Sequence, residues 1–262
     1  MEYIALSYTD LLIALILIFI PIIISFQSRL GIEKDILIGT VRTFIQLMLI
    51  GYVLKYLFSF KKWYFVLLMI AIMALVAGYN AVKRQKTAIP NLYLIVTFSI
   101  FLGATVAMTT LILLILRVKP WYEPQYLIPI SGMMLGNAMN AAALAVDRLV
   151  SDTRSRRWEI EAALALGASP YKAINPLLRD TARAAMMPTI NAMMVVGIVQ
   201  LPGMMTGQII GGVAPEQSVR YQIIIMYMLT TSVTISCISV LYFFYRKLFT
   251  REEQLNIDLI LS

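Results

Sequence analysis

Histidine is absent from this chain of 262 residues, and cysteine occurs once, as Cys237. The first absence removes the commonest metal ligand, the commonest general base and every histidine-containing catalytic triad. The second rules out an intrachain disulfide, and Cys237, set within an apolar run, reads as a small buried thiol. No G-x-x-x-x-G-K-[ST] segment is present, so the chain has no phosphate loop of its own and cannot hydrolyse ATP by that route. Charge is sparse at 14% of residues. No triad, carboxylate pair or metal cluster emerges, so no catalytic residue is assigned and the chain reads as a non-enzyme.

Apolar residues fill what is left, at 60% of the chain. A soluble domain of this length needs more polar surface than that. Charge-free stretches of some twenty residues recur, which at ~1.5 Å rise per residue match a ~30 Å hydrocarbon core. A bilayer admits helices or a closed barrel, and continuous apolar runs without period-two alternation select helices. The expected fold is therefore all-α and polytopic: a single transmembrane domain over 1–262 with seven spans near 11–27, 43–60, 63–82, 91–114, 126–146, 189–212 and 221–245. Leu30–Val41, with Glu33, Lys34 and Asp35, reads as an interfacial helix entering the second span. The N-terminus lacks a basic region followed by a small-residue cleavage site, so the first apolar segment is expected to stay as an anchor.

Lysine and arginine set the expected orientation. Sixteen of the 22 basic residues fall in the first, third, fifth and last connections, which places the N-terminus outside and the C-terminus in the cytoplasm of a cell that keeps this chain in its inner membrane. Basic loops facing anionic lipid account for the net charge of +8 without nucleic acid as a partner.

Only one connection is long. Residues 147–188 separate spans five and six and carry helical stretches Trp158–Leu166 and Leu177–Met187, interrupted by Gly167-Ala168-Ser169-Pro170. Glycine after a helix and proline shortly beyond it stop one helix and start another. The expected product is a helix, a tight turn and a second helix, shaped to dock on a partner.

Polar groups at membrane depth are costly and therefore mark candidate function. Span five carries Asn137 and Asn140 beside Met133 and Met134, with Gly132 and Gly136 spaced as a close-packing face. Span six carries Pro202-Gly203-Met204-Met205, where a broken helix is expected, and Gly203 and Gly207 continue a second such face. The Gly-Met-Met-x-Gly pattern shared by the two spans suggests a common path, with Met134 opposite Met205. Sixteen methionines invite a metal reading, yet most serve as packing residues, and Asp10 is the only carboxylate near a span. The metal ligands, if any, stay unassigned. Thr230, Thr231, Ser232, Thr234 and Ser236 read as helix-to-helix hydrogen-bonding groups, Asn80 as a cap, and Arg179-Asp180 with Arg183 as an ion-pair cluster.

Glu161-Ala162-Ala163, with Gly167 four positions beyond, is similar to the EAA loop of ABC permeases. There the loop is the coupling helix that seats in a cleft of the ATPase. The apolar-Leu-Pro that follows in importers is missing; Leu177-Leu178-Arg179 stands at that spacing. A wider set resembles the FetB family of ABC permeases: Glu33-Lys34-Asp35-Ile36, Gly51-Tyr52-Val53-Leu54-Lys55-Tyr56, Gly136-Asn137-Ala138-Met139, Leu166-Gly167-Ala168-Ser169-Pro170, Leu201-Pro202-Gly203-Met204-Met205 and Arg220-Tyr221-Gln222-Ile223. FetB-type permeases are associated with iron export and resistance to oxidative stress, and plant relatives with aluminium tolerance. The resemblance implies a separate cytoplasmic ABC ATPase that holds ATP and magnesium, a permease homodimer, metal export, and ATPase coupling through Glu161, Ala162, Ala163, Gly167, Ser169 and Pro170. The rival readings are an ion-gradient-driven secondary transporter and an ABC permease for a non-metal solute.

Overall fold

A computed structural model describes residues 7–60, 62–83, 89–250 and 252–256. Contacts group the chain into two units, residues 1–61 and 62–262.

The first unit holds three helices: α1 (Tyr8–Ala14), α2 (Ile16–Gln27) and α3 (Glu33–Phe60). Asp10 belongs to a capping box at the start of α1. It accepts from the Ser7 backbone amide at 2.8 Å, and the Ser7 hydroxyl accepts from Thr9 N–H at 3.1 Å. The one carboxylate near the first span is thus spent on starting a helix. The Ser25 hydroxyl donates to Glu33 at 2.6 Å and ties α2 to the first turn of α3. The expected interfacial helix 30–41 is not a separate element, because from Glu33 onward it is continuous with span two. Glu33 and Asp35 sit in the first turn, where carboxylates favour the helix N-terminus.

The second unit is a bundle of α4 (Trp63–Lys83), α5 (Leu92–Thr110), α6 (Pro124–Ser155), α7 (Arg157–Ala165), α8 (Pro170–Val195), α9 (Gly203–Ile210) and α10 (Pro215–Tyr245). A π-helical segment, Leu111–Leu116, extends α5. α10 packs along α5 and α6, and α4 covers the other side of both. The contact faces are built from small residues: Ala74, Ala77, Gly78 and Ala81 on α4, Ala104 and Ala107 on α5, and Ala138, Ala142 and Ala145 on α6. Lipid tails are as apolar as leucine, so helices in a bilayer associate by close backbone approach, and small side chains permit it.

Six helices among the described residues are long and apolar enough to cross a membrane. The difference from seven lies at span six. α8 runs without interruption from Pro170 to Val195 and takes in both the expected connector helix 177–187 and the start of the expected span. Pro188 stands inside the helix rather than at its boundary. The break comes at 196–202, where Val196 is extended and bridged to Gln200 and Gly197 has φ +85°. Pro202 caps α9 instead of marking the centre of the break. Likewise, residues 147–155 of the expected connection are the last turns of α6.

Candidate functional site

α6, α8, α9 and α10 enclose a cavity of about 320 Å³. Met133, Asn137, Asn140 and Leu144 reach it from α6 at helical spacing. Pro188, Thr189 and Ala192 come from α8; Gln200, Pro202, Gly203 and Met204 come from the break and the start of α9; Gln222, Met226 and Leu229 come from α10. The break matters here. Irregular backbone at membrane depth is tolerated where it lines a cavity, and residues 196–203 do that.

Asn137 Nδ2 donates to the Met133 carbonyl of its own helix at 2.8 Å, which leaves its amide oxygen and one N–H to meet a solute. Among the described residues, no aspartate, glutamate, lysine or arginine lines this cavity. Among the described residues, no group of three or more cysteine, aspartate or glutamate side chains converges to hold a metal.

The two methionine doublets contribute one member each. Met133 and Met204 line the common cavity, whereas Met134 is completely buried in the bundle core and Met205 lines a neighbouring cavity of about 490 Å³. The expected Met134–Met205 pairing is therefore corrected to Met133 and Met204, because adjacent residues on a helix point ~100° apart and only one of each doublet faces inward.

The glycines also need correction. A Cβ at Gly132 would stand 3.1 Å from the methyl of Met73, as expected of a close-packing position. At Gly136, Gly203 and Gly207 it would meet nothing within 4 Å among the described residues. The glycines pressed against neighbours are Gly78, facing Thr97, and Gly103, facing Ser232 and Ser236. Neither pair was visible as a G-x-x-x-G spacing.

The hydroxyls of α10 mostly bond their own helix. Thr230, Thr231 and Thr234 donate to carbonyls four residues back at 2.8–2.9 Å, and Thr230 also reaches Met193 Sδ of α8 at 2.7 Å. Asn80 donates to the carbonyl of Val76 rather than capping a helix end. Gln222, Met226, Thr189 and Gln200 were not singled out as lining residues. The available signal was the i, i+4, i+7 placement of Gln222, Met226 and Leu229 on one face of span seven.

At the far end of α8 lies the helix–turn–helix. α7 closes with two hydrogen bonds, Ala168 N–H to the Ala163 carbonyl at 3.0 Å and Gly167 N–H to the Leu164 carbonyl at 2.9 Å. That pairing is a Schellman motif, and it needs a left-handed residue, supplied by Gly167 at φ +87°. Ser169 then leads into α8 with Pro170 in its first turn. Glu161 pairs with Arg157 at 3.0 Å, whose guanidinium lies 4.4 Å over the ring of Trp158. Ala162 is exposed, while Ala163 packs on the core. Leu166 at the tip is 89% exposed and Trp158 72%.

The corner between α6 and α7 is held by charge. Arg156 donates to Glu159 at 2.6 Å and lies 4.0 Å from Asp180 of α8, which also faces Arg183 at 3.9 Å. The Arg156 guanidinium holds the Glu159 carboxyl below the usual carboxylate range, and the same bond pushes the guanidinium up. The expected Arg179-Asp180-Arg183 cluster thus centres on Asp180, with Arg156 as its partner from outside the helix. Residues 249–250 and 252–256 lie beside the turn, with Phe249 bridged to Leu255, and a recess of about 670 Å³ there is bordered by Glu161, Gly167, Ser169, Glu252 and Glu253.

A bundle of long apolar helices, packed through small residues around a polar cavity with a helical break in its wall, defines a polytopic α-helical membrane protein. The chain belongs to the UPF0014 family, described as an uncharacterised protein family, whose profile matches residues 8–249. It is 37% identical to the UPF0014 membrane protein YjkA of Bacillus subtilis (strain 168), over 98% of this chain and 99% of that one. It is 40% identical to a protein of Escherichia coli (strain K12) named "Probable iron export permease protein FetB", over 94% of this chain and 93% of the relative. Protein ALUMINUM SENSITIVE 3 of Arabidopsis thaliana is 33% identical over 93% of this chain and 88% of its own length. No solved structure matches the chain.

Proposed function

We propose that this chain is the membrane-spanning permease subunit of an ATP-driven exporter, with ATP hydrolysed by a separate cytoplasmic subunit. The α7–turn–α8 element faces the cytoplasm in this reading, and the cavity among α6, α8, α9 and α10 is the substrate path. The observation that carries it is α8. One continuous helix of 26 residues, ~39 Å long, begins at the turn beside Leu166 and ends at the cavity wall with Pro188, Thr189 and Ala192. A push on the turn is therefore delivered along α8 to the cavity, and the internal prolines Pro176 and Pro188 mark where the helix can bend.

Leu166 and Trp158, apolar and exposed at the turn, supply the contact surface that a partner's cleft requires. The absence of carboxylates from the cavity lining removes the proton- or sodium-coupling groups that a gradient-driven carrier uses. A second permease copy fits against the break, where Met194, Ile198 and Val199 are 75–89% exposed and Gly203 and Gly207 leave room for close approach. The E. coli relative is named for probable iron export, which supports a metal ion as the cargo class here.

The test is reconstitution of the chain with its cognate ATPase in proteoliposomes, reading ATP hydrolysis against a panel of metal ions. Stimulation by a metal, lost on Gly167→Pro, supports the reading. Transport without any ATPase would refute it.

A further inference from the structure

Gln222 is one of nine described residues whose buried side-chain oxygen has no hydrogen-bond partner, and of the nine it is the one that lines both the 320 Å³ and the 490 Å³ cavities; it is 5% exposed. A buried carbonyl oxygen left without a donor is unfavourable, so its retention at a cavity wall points to a ligand that satisfies it. Met226, one turn further along the same helix, lines both cavities as well.

We infer that Gln222 and the thioethers around it form an uncharged acceptor site for a soft monovalent cation of the copper(I) or silver(I) class. Met133, Met204 and Met226 line one cavity, and Met193, Met205 and Met226 the other. Asn137 adds a second amide oxygen, with one of its two N–H donors held by the Met133 carbonyl. The thioether sulfurs only accept, the two amides offer oxygens as well as N–H donors, and none of these groups carries a charge.

The charge count selects among cations. Among the described residues neither cavity is lined by a carboxylate, and the chain has no imidazole, so a divalent or trivalent ion stripped of its water would find no compensating charge in a low-dielectric site. A large monovalent ion sheds its water more readily and is the natural partner of thioether sulfur. Gln222 and Met226, common to both cavities, make the point where the ion is handed from one to the other.

This inference rests on the cavity being the transport path, but it is tested without ATP. Full-length protein in nanodiscs, with Cys237→Ala to remove the thiol, is titrated with silver nitrate and separately with iron(II) by calorimetry. Silver is expected to bind, and Gln222→Leu and Met226→Leu are each expected to weaken it at least tenfold. Gln222→Glu, which adds the missing charge, is expected to confer iron(II) binding, a gain that a misfolded protein does not produce. Silver affinity unchanged in both leucine variants, or iron(II) bound by the parent protein as tightly as silver, would overturn the assignment. Should silver behave as expected while the reconstituted complex shows no coupled ATP hydrolysis, the site stands and the ATP-driven reading falls. The reverse pattern removes the cation assignment alone.

Discussion

Gly103 of α5 lies so close to α10 that an added methyl group would collide with the Ser236 hydroxyl and the Ser232 backbone carbonyl. A backbone carbonyl cannot turn aside as a side-chain end can. Gly103→Ala is therefore expected to cost about 1–3 kcal/mol, the usual range for overpacking. Gly136→Ala, with open space around it, is expected to leave stability within about 0.5 kcal/mol. Thermal unfolding in detergent, followed by the loss of monodisperse protein, distinguishes the two.

The Schellman turn predicts a graded series at residue 167. Gly167 sits at φ +87°, which L-residues rarely adopt, so Gly167→Ala is expected to strain the turn by about 1–2 kcal/mol and Gly167→Pro to abolish it. ATP hydrolysis coupled to transport is expected to fall in that order while membrane insertion stays unchanged. Equal coupling in all three proteins would separate the turn from energy transfer.

Charge at the α6–α7 corner gives a pH dependence with a definite sign. Arg156 lowers the Glu159 carboxyl pKa on folding, so the pair's contribution is complete above the ordinary carboxylate value and is lost as pH falls through the lower folded value. Amide protection factors at 156–160, corrected for the intrinsic pH dependence of exchange, are expected to be flat from neutral pH down through the ordinary carboxylate range and to fall only below it. Glu159→Gln is expected to remove that acidic step. An unchanged step in Glu159→Gln would assign it to another group.

Glu161→Arg brings a second guanidinium beside Arg157, replacing an ion pair at 3.0 Å with a like-charge contact. The exposed tip should loosen without unfolding the bundle, since Glu161 lies outside the core. Weaker association with the ATPase, measured by co-purification at low and high salt, is the expected outcome, with salt partly restoring it by screening. Association unaffected at either salt level would exclude this face.

Six of the seven expected spans correspond to long apolar helices, and the Gly167 stop signal and the cavity-lining positions of Asn137, Asn140, Met133 and Met204 were also legible in the sequence, because bilayer thickness and turn chemistry act locally. The union of 177–187 with span six was not. Pro188 reads as a boundary in isolation, whereas packing against α6 and α10 keeps the helix continuous through it. The glycine faces were legible only in part, for a related reason. Four-residue spacing says a helix can be approached, not that a neighbour is there, so Gly78 and Gly103 were invisible and Gly136 was overrated. Gln222 was hidden for the opposite reason: a single amide in an apolar span has no pattern of its own until the fold places it between two cavities.

The account depends on Leu166 lying on the inner face of the membrane against the ATPase. A single cysteine at that position, in a Cys237→Ala background, can be probed with a membrane-impermeant maleimide on sealed vesicles of known sidedness. Labelling from the cytoplasmic side, blocked when the ATPase subunit is added, is the predicted result. Labelling from the outer side only, or cytoplasmic labelling indifferent to the ATPase, would contradict it.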